Sequence, residues 1–506
     1  MSLPFTLLPD DEHNRALAAH VRPAEWRNPD PAPRYNLVVI GAGTAGLVAA
    51  AGAAGLGAKV ALVERDRMGG DCLNWGCVPS KAILRSSRVA ALWREADQLG
   101  FKVPCPLEAD FPRVMERMRR LRARIAAHDS AARFRDLGVD VLLGQGRFRD
   151  THAVEVEGRI LRFRKTVIAT GAKPVIPPIP GLVEAGCLTN ETIFQLTELP
   201  RRLLVIGGGP IGCELAQAFR RLGAEVTLVE MGPRILPRED DDAAHLLQTV
   251  FQQEGIDLRL KATVRSVTAG PGEKQVHILH NGQEAVIPVD AILAATGRAP
   301  NVKPLNLEAA GVEYDEHAGI RVDQTLRTTN PDIHAAGDVC LSYHFTHAAD
   351  AAARLVIRNA LFPGRSRVDS LVIPWCTYTD PEIAHVGLSE KEARGRDIAI
   401  DIHQRNFASV DRAILDGEEA GFVKILTAKG RDRIAGAAIV ARHAGEMINE
   451  ITLAMNQGIG LGKLSQVIHP YPTQAEAIRQ CADAYNRSRL TPRVRRILQT
   501  WFRWRR

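Results

Sequence analysis

Cysteine is scarce in this chain, eight in 506 residues. Most of the eight stand alone, which excludes the disulfide framework of a small secreted scaffold and fits thiols kept reduced in a cytoplasmic setting. Aromatic side chains make up only 5%, and two of the six Trp, Trp501 and Trp504, fall in the last six residues. No apolar run follows a basic start; Asp10, Asp11 and Glu12 occupy that region, so no secretory signal peptide is expected. One uncharged stretch, residues 37–58, is long enough to span a bilayer. Its glycines at 41, 43, 46, 52, 55 and 57 indicate a turn and a closely packed helix instead. With 45% hydrophobic and 24% charged residues, the chain is neither disordered nor fibrous, and its length predicts about three or four domains.

Acid is missing from one place. Residues 487–506 carry eight Arg (487, 489, 493, 495, 496, 503, 505 and 506) and no Asp or Glu. The net charge is +7, and taking those eight from the 65 Lys and Arg leaves 57 against 58 acids. The basicity therefore belongs to the tail, and the body is close to neutral. Nucleic-acid binding is not expected, because the charge is confined to one end and no recognition motif accompanies it. A second Arg-rich run, Arg113 to Arg124, reads as the solvated face of a helix.

The chain contains an internal repeat. LVVIGAGTAGLVAAAGAAGLGAKVALVE ends at Glu64 and LLVIGGGPIGCELAQAFRRLGAEVTLVE ends at Glu230, with Gly41 to Glu64 and Gly207 to Glu230 equally spaced. Each copy reads as a buried strand, a GxGxxG turn, a helix and a second strand closed by a carboxylate. Gly41 and Gly207 permit the tight turn, Gly43 and Gly209 let a pyrophosphate approach the backbone, and Gly46 and Gly212 let the helix pack on the strand. The helix N-terminus offers free N–H groups to phosphate, and Glu64 and Glu230 fall where ribose hydroxyls are bound. Two nucleotide-binding units are predicted.

Directly after the first copy comes GGDCLNWGCVPSKAIL, Gly69 to Leu84. Cys72 and Cys77 could be half of a metal site, but no second Cys or His pair stands nearby to complete four ligands. A redox-active disulfide fits the pattern better, because a thiolate at a helix N-terminus is stabilised there. Lys81, four residues beyond Cys77, shares its helical face and adds positive charge. The remaining cysteines (105, 187, 213, 340, 376 and 481) read as buried small hydrophobes. His344 and His347 in YHFTHAAD read as packing residues, and no metal site is predicted. From Leu371, strand-like runs (LVIPWCTYT, GFVKILT, IAGAAIVA) precede helical patterns from Gly445, suggesting a separate α+β domain.

The ordered set GAGTAG, GGDCLNWGCVPSK, VIATGAKP, GGGPIGCELAQAF, ATGRAPN, AAGDV and HPYPTQAE resembles the FAD-dependent class I pyridine nucleotide-disulfide oxidoreductases over about residues 34 to 485. Within that family the chain is most similar to mercuric reductase and dihydrolipoyl dehydrogenase. The resemblance implies an α/β fold with two Rossmann-like domains, for FAD and NAD(P), and a C-terminal α+β dimerisation domain. The implied boundaries are 1–33 for an N-terminal extension, 34–180 and 301–370 for FAD, 181–300 for NAD(P), 371–486 for dimerisation and 487–506 for the tail. It further implies that Cys77 faces the flavin as the charge-transfer thiolate, that Cys72 exchanges with substrate, and that Lys81 pairs with Glu214 near the ring. Thr44, Gly70, Thr170, Gly171, Gly297, Gly337 and Asp338 are expected to line the cofactors. NAD(H) is expected over NADP(H), since Glu230 repels a 2'-phosphate and Met231 stands where phosphate-binding members carry Arg. Arg234 and Arg238 nearby leave NADP(H) as the alternative.

Dithiol-handling members place a His as acid/base, donated across the dimer, where this chain has Tyr471, five residues before Glu476; His469 lies two residues earlier. A Tyr of ordinary pKa about 10 is a poor base at neutral pH, whereas His near 6.5 is well matched. Mercuric reductases resemble the chain more closely here, with a Tyr before the Thr and Glu. They also carry a terminal Cys pair, whereas the last Cys here is Cys481, alone. The expected acceptor is a small-molecule disulfide or a thiol-bound metal. Alternatives are dihydrolipoyl dehydrogenase chemistry with His469 as base, a redox sensor, and a membrane-surface NADH-quinone flavoprotein. The tail TPRVRRILQTWFRWRR places Val494, Ile497, Leu498 and Trp501 on one helical side, which suits an anionic membrane surface or the partner subunit of a homodimer. A cytoplasmic protein, in the first case peripheral to the inner face of the membrane, is expected.

Overall fold

A computed structural model of the chain describes residues 7–102, 108–270 and 272–506; Cys105 lies outside the described residues. These form two compact units, one of the residues up to Pro233 with Glu254–Leu371, the other of Arg234–Gln253 with Val372–Arg506.

In the first unit, strands β1 (Tyr35–Ile40), β2 (Val60–Glu64), β3 (Asp140–Leu143), β4 (Gly146–Asp150), β5 (Ala153–Val156) and β6 (Arg159–Ile168) run in the order β3-β2-β1-β6-β5-β4. A seventh strand, Ile333–Ala335, pairs in parallel with β6, so a segment far along the chain completes this sheet. Leu37 to Ile40 are all buried, as expected of a parallel strand covered on both faces. One cover is helix α1 (Thr44–Gly55), whose Ala49, Ala50 and Ala53 share a core with Ala352, Ala353 and Val356 of helix Thr346–Leu361. A Cβ on Gly52 would sit 2.6 Å from Ile357 Cδ1. The long uncharged stretch is thus a strand and a small-residue helix packed at close range. Among the described residues no helix is long and apolar enough to cross a membrane.

Helix α2 (Cys77–Glu95) and helix α3 (Phe111–Ala126) follow. The solvated face expected on α3 holds for Arg113, Arg120 and Arg124, which are exposed, and is corrected at Arg119 and Arg122, which are buried. They continue the stripe of Phe111, Met115 and Met118, and each finds polar partners: Arg119 bonds Asp11, and Arg122 donates to Asn74 O at 2.7 Å and Asn14 Oδ1 at 2.8 Å.

The second copy of the repeat builds a parallel sheet of β7 (Arg202–Ile206), β8 (Glu225–Glu230), β9 (Asp257–Leu260) and β10 (Ala291–Ala294), ordered β9-β8-β7-β10, with helix α4 (Pro210–Leu222) between β7 and β8. The pairing of β7 with β8, Leu203↔Val226 through Ile206↔Val229, parallels that of β1 with β2, Leu37↔Val60 through Ile40↔Val63.

The second unit holds an antiparallel sheet of β11 (Pro374–Thr377), β12 (Glu382–Gly387), β13 (Ile400–Asn406), β14 (Phe422–Ala428) and β15 (Ile434–Ala441), in the order β11-β12-β15-β14-β13. Helices Ala444–Asn456 and Glu476–Ser488 pack on it through Ile448, Ile451, Ile478 and Cys481. Cys213 and Cys481 are buried as expected, but Cys187, Cys340 and Cys376 are only half-buried; Cys376 lies on the edge strand β11, where one side has no neighbouring strand to cover it. Helix α5 (Pro492–Trp504) closes the chain.

Candidate active site

The two GxGxxG turns agree down to individual hydrogen bonds. Glu64 accepts from Ala42 N and Asp66 N, both at 2.7 Å; Glu230 accepts from Gly208 N and Gly232 N, also both at 2.7 Å. Burial pushes Glu64 up, and those two N–H groups oppose it. Gly41 and Gly207 have φ of 105° and 106°, and a side chain there would strike the carbonyls of Ala169 and Ala295. Gly46 and Gly212 lie against the carbonyls of Gly41 and Gly207, so the helix cannot pack on its turn with anything larger. Gly43 and Gly209 are the N-caps of α1 and α4, with no side chain capping either helix. Gly209 faces open space and Gly43 meets only Gly70 Cα, at 3.8 Å. The N–H groups at both helix starts, Thr44 among the first, are therefore free to meet phosphate. A recess beside the first turn is lined by Gly41, Glu64, Arg65, Gly146, Thr170 and Asn301. Thr170 Oγ1 donates to Asn301 O, and Asn301 Nδ2 returns a bond to Thr170 O, both at 2.9 Å. The backbone N–H of Asn301 donates to Gly171 O at 2.9 Å, and Gly297 O accepts from Val175 N at 3.0 Å.

Cys72 sits in the short helix Gly70–Trp75, and Cys77 is the first residue of α2, with Gly76 between the two helices. Both are free thiols. The hydrogen bond with Cys72 pulls the Cys77 pKa down; desolvation opposes this, and the Lys81 charge and the Thr346 hydroxyl add to the fall. Cys72 is pushed up by the same bond, by burial and by the charge of Cys77. One sulfur of the pair is thus poised as thiolate while the other keeps its proton. Lys81 Nζ lies 2.7 Å from Glu214 Oε2 on α4, with Glu214 buried and Lys81 partly open to solvent, so the ammonium has a fixed counter-charge across two elements.

Thr346, Asp71, Arg298 and Asn74, which sequence reasoning did not single out, complete this neighbourhood with Gly70 and Asp338, which it did. Thr346 Oγ1 is 3.6 Å from Cys77 Sγ. Asp71 accepts from Trp75 Nε1 at 2.5 Å and pairs with Arg298. The Arg298 Nε is buried without a hydrogen-bond partner, 3.7 Å from Asp338 Oδ2. Gly70, at φ 55°, brings the redox segment against Gly43, where a Cβ would lie 2.5 Å from the Gly43 Cα. Asn74 Nδ2 ties the short helix to Met68 O and Gly70 O at 3.1 and 2.8 Å, while Arg122 holds the Asn74 carbonyl from α3. Burial pulls the Arg122 pKa down to about 10. The run of Phe111, Met115 and Met118 into Arg119 and Arg122 was the signal for this brace. Arg122→Leu strips Asn74 O and Asn14 Oδ1 of a buried donor and is expected to cost about 1–3 kcal/mol, read as a lowered melting temperature.

His469, Tyr471 and Glu476 belong to the second unit, and the cysteine pair to the first. Tyr471 is 70% exposed and donates to Asp411 Oδ2 at 2.9 Å, which raises its pKa further above neutrality. His469 has Glu450 Oε2 at 3.1 Å from Nε2 and Val467 O at 3.2 Å from Nδ1. Both ring nitrogens of His469 thus lie beside oxygen atoms of its own unit. Glu476 pairs with Arg479. Among the described residues no group of three or more His, Cys, Asp or Glu is arranged to hold a metal ion.

A family profile described as pyridine nucleotide-disulphide oxidoreductase matches residues 35–353, and a second, described as the dimerisation domain of that family, matches residues 373–482. The chain belongs to the pyridine nucleotide-disulfide oxidoreductases. It is 34% identical over 453 residues to a mercuric reductase of Staphylococcus aureus, covering 90% of this chain and 83% of that protein. It is 34% identical over 459 residues to a dihydrolipoyl dehydrogenase of Thermus scotoductus, covering 90% and 98%. Among solved structures it is similar to the Cu(II) complex of the HOCl-induced flavoprotein disulfide reductase RclA of Escherichia coli, with TM-score 0.79, 30% identity and coverage of 88% and 98%. It is also similar to LpdA of Mycobacterium tuberculosis, with TM-score 0.82, 28% identity and coverage of 90% and 100%. Enzymes of this class I family are FAD-dependent and use NAD(P)H. The residues present fit FAD: the uncapped start of α1, the side-chain-free cradle at Gly43 and the orphaned Arg298 Nε are places for a phosphate-bearing, polar ligand. Gly337, at φ 81° and close to Ala45 of α1, brings Asp338 to the same region.

Proposed function

We propose that this enzyme is an NADH-dependent disulfide reductase that passes electrons through Cys72 and Cys77 to a disulfide or a thiol-bound soft metal, in the manner of a mercuric reductase. The observation that carries the reading is the placement of Cys77 at the first residue of α2, with Thr346 Oγ1 at 3.6 Å, the Lys81–Glu214 ion pair beside it, and Cys72 in the short helix just before; this setting lowers the Cys77 pKa and raises that of Cys72. Bound FAD supplies a ring that accepts hydride from the nicotinamide and reduces a neighbouring disulfide. Gly43, Thr44, Gly46, Glu64, Gly70, Thr170, Gly171, Gly297, Gly337 and Asp338 are the proposed residues for FAD, and Gly207, Gly209, Gly212 and Glu230 those for the nicotinamide nucleotide. In the reductive half, one NADH breaks the Cys72–Cys77 sulfur–sulfur bond, its two electrons and one proton leaving a thiol at Cys72 and a thiolate at Cys77. Cys77 keeps the negative charge, with Lys81 and Thr346 holding it in place. Cys72 is the sulfur that attacks the acceptor: its proton passes to solvent, one thiolate leaves the acceptor as the mixed bond forms, and for a disulfide acceptor Cys77 then displaces the second thiolate and re-forms the Cys72–Cys77 bond.

The state of Tyr471 favours this acceptor class over dihydrolipoamide. Tyr471, at the acid/base position, is a phenol whose pKa is raised further by Asp411 and is poorly matched to shuttling a proton to a dithiol at neutral pH. A homodimer is proposed from the dimerisation domain, and a cytoplasmic location from the sparse, scattered cysteines. Steady-state assays with NADH and three acceptors test the reading. Mercuric ion complexed by small thiols should turn over; lipoamide should be much slower. Quinone turnover that survives Cys72→Ala would overturn it in favour of a direct flavin route.

NADH is the proposed donor. Met231 is 74% exposed just past Glu230, so no cation follows the carboxylate there. Arg234 is spent locally on Glu239 O at 2.6 Å, Pro237 O at 3.3 Å and Asp241 at 3.0 Å. The kcat/KM for NADH should exceed that for NADPH by about tenfold or more, the cost of setting a phosphate against Glu230, and Met231→Arg should narrow the ratio. A wild-type preference for NADPH would contradict the assignment.

A further inference from the structure

Helix α5 takes no part in the chemistry above. It is a defined element: Thr491 Oγ1 accepts from Val494 N at 3.3 Å, and Pro492 stands in the first turn, both signals of a specified helix start. No residue of it is buried. At 100° per residue, Trp504, Ile497, Trp501, Val494, Leu498 and Phe502 fall within one arc of about 160°. Arg495, Gln499, Arg503, Arg496, Thr500 and Arg493 fill the remainder, and only Arg505 enters the apolar arc. There it lies over the Trp501 ring at 5.6 Å, a side chain able to cover apolar surface while its charge stays in water.

We propose that α5 docks this protein onto an anionic lipid bilayer, lying in the plane of the interface. Three features select lipid. The apolar arc carries two Trp and one Phe, amphipathic or bulky rings suited to the headgroup boundary. The polar arc and the approach from Arg487 hold only basic charge, complementary to anionic headgroups. Nucleic acid would satisfy the arginines but leave the Trp face in water. A second copy of the chain has little claim on the helix by charge, since its body is close to neutral, and α5 lies beyond the 373–482 span matched to the dimerisation domain. The helix is about 20 Å long at 1.5 Å per residue, too short to span a bilayer and suited to lying on one.

The inference goes beyond the proposed reductase chemistry and is read without it. Full-length, FAD-loaded protein is mixed with vesicles of equimolar phosphatidylglycerol and phosphatidylcholine, or of phosphatidylcholine alone, and sedimented. Wild type should pellet with the anionic vesicles and stay soluble with the neutral ones. Ile497→Glu with Trp501→Glu should abolish pelleting, and Arg495→Gln with Arg496→Gln should weaken it about fivefold per charge removed. Oligomeric mass and reduction by NADH should be unchanged in every variant. Wild type left in the supernatant with anionic vesicles would overturn the proposal. So would loss of oligomeric mass in Ile497→Glu/Trp501→Glu, which would place the helix in a subunit interface. Duplex RNA binding that tolerates this double substitution, without vesicle binding, would assign the helix to nucleic acid.

Discussion

Replacing Cys77 by Ala is expected to abolish the long-wavelength absorbance of a thiolate against oxidised flavin in the two-electron-reduced protein. Cys72→Ala has no disulfide to reduce, so it should show that absorbance already in the oxidised protein and lose it once two electrons bleach the flavin. Either variant should lower turnover with a thiol-bound metal about a thousandfold or more, because the two sulfurs act as one unit and removing either stops the relay. The asymmetry follows from the local electrostatics: the bond from Cys72, the Lys81 charge and the Thr346 hydroxyl favour the anion on Cys77 and disfavour it on Cys72. The same causes fix the pH dependence. An ordinary thiol loses its proton near about 8.5, whereas the Cys77 thiolate should persist well below that and the absorbance should fade only as pH drops through its lowered pKa. Lys81→Met should move that midpoint upward. Retention of the absorbance in Cys77→Ala, or its absence from oxidised Cys72→Ala, would reverse the assigned roles.

A second large effect is expected in the other unit, where Lys424 of β14 is only 1% exposed. Its Nζ lies 2.9 Å from Asp240, 2.9 Å from Asp242 and 3.5 Å from Glu390. Lys424→Met keeps the length of the side chain but leaves buried Asp240 with only the N–H groups of Glu390 and Lys391. Removing one partner of a buried ion pair costs about 3–5 kcal/mol, so this unit should melt several degrees lower in calorimetry. Burial works to raise Asp240, yet the Lys424 hydrogen bond and charge prevail and hold it below the usual carboxylate range. Its contribution is therefore complete above the unfolded pKa, about 3.9, and is lost as pH falls through the lower folded value. Lys424 itself is raised by Asp242 and Asp240 against burial, so its share persists at neutral pH and is lost only above its raised pKa. Wild type should lose stability on acidification where Lys424→Met shows a flatter response; equal slopes would mean the cluster contributes nothing.

Much of this was legible because local rules and tertiary packing agree. The GxGxxG spacing and the carboxylate at fixed distance follow from one strand-turn-helix-strand geometry, and the structure repeats it to the hydrogen bond at Glu64 and Glu230. The runs at 421–427 and 434–441 became β14 and β15 because continuous apolar segments bounded by turns pair as buried strands. Apart from the Lys81–Glu214 pair and the return of the later FAD segment, both implied by the family resemblance, long-range partnerships were not legible. Nothing near Ile333–Ala335 announces that it joins β6, and Thr346 and Arg298 reach Cys77 and Asp71 across hundreds of residues. Arg122 was misread because charge was counted without its helical phase; placed after Phe111, Met115 and Met118, it belongs to the inward face. Tyr471 and His469 were recognised as the altered acid/base position, but their partners Asp411 and Glu450 depend on folding.

The central claim is that the Cys72–Cys77 pair and the flavin form one electron reservoir. Anaerobic titration of the FAD-loaded protein with NADH, followed by absorbance, tests it most directly. The first equivalent should raise the long-wavelength absorbance while the flavin stays oxidised, with bleaching only on further reduction. Bleaching of the flavin by the first equivalent, with no such absorbance and no thiols gained, would contradict it.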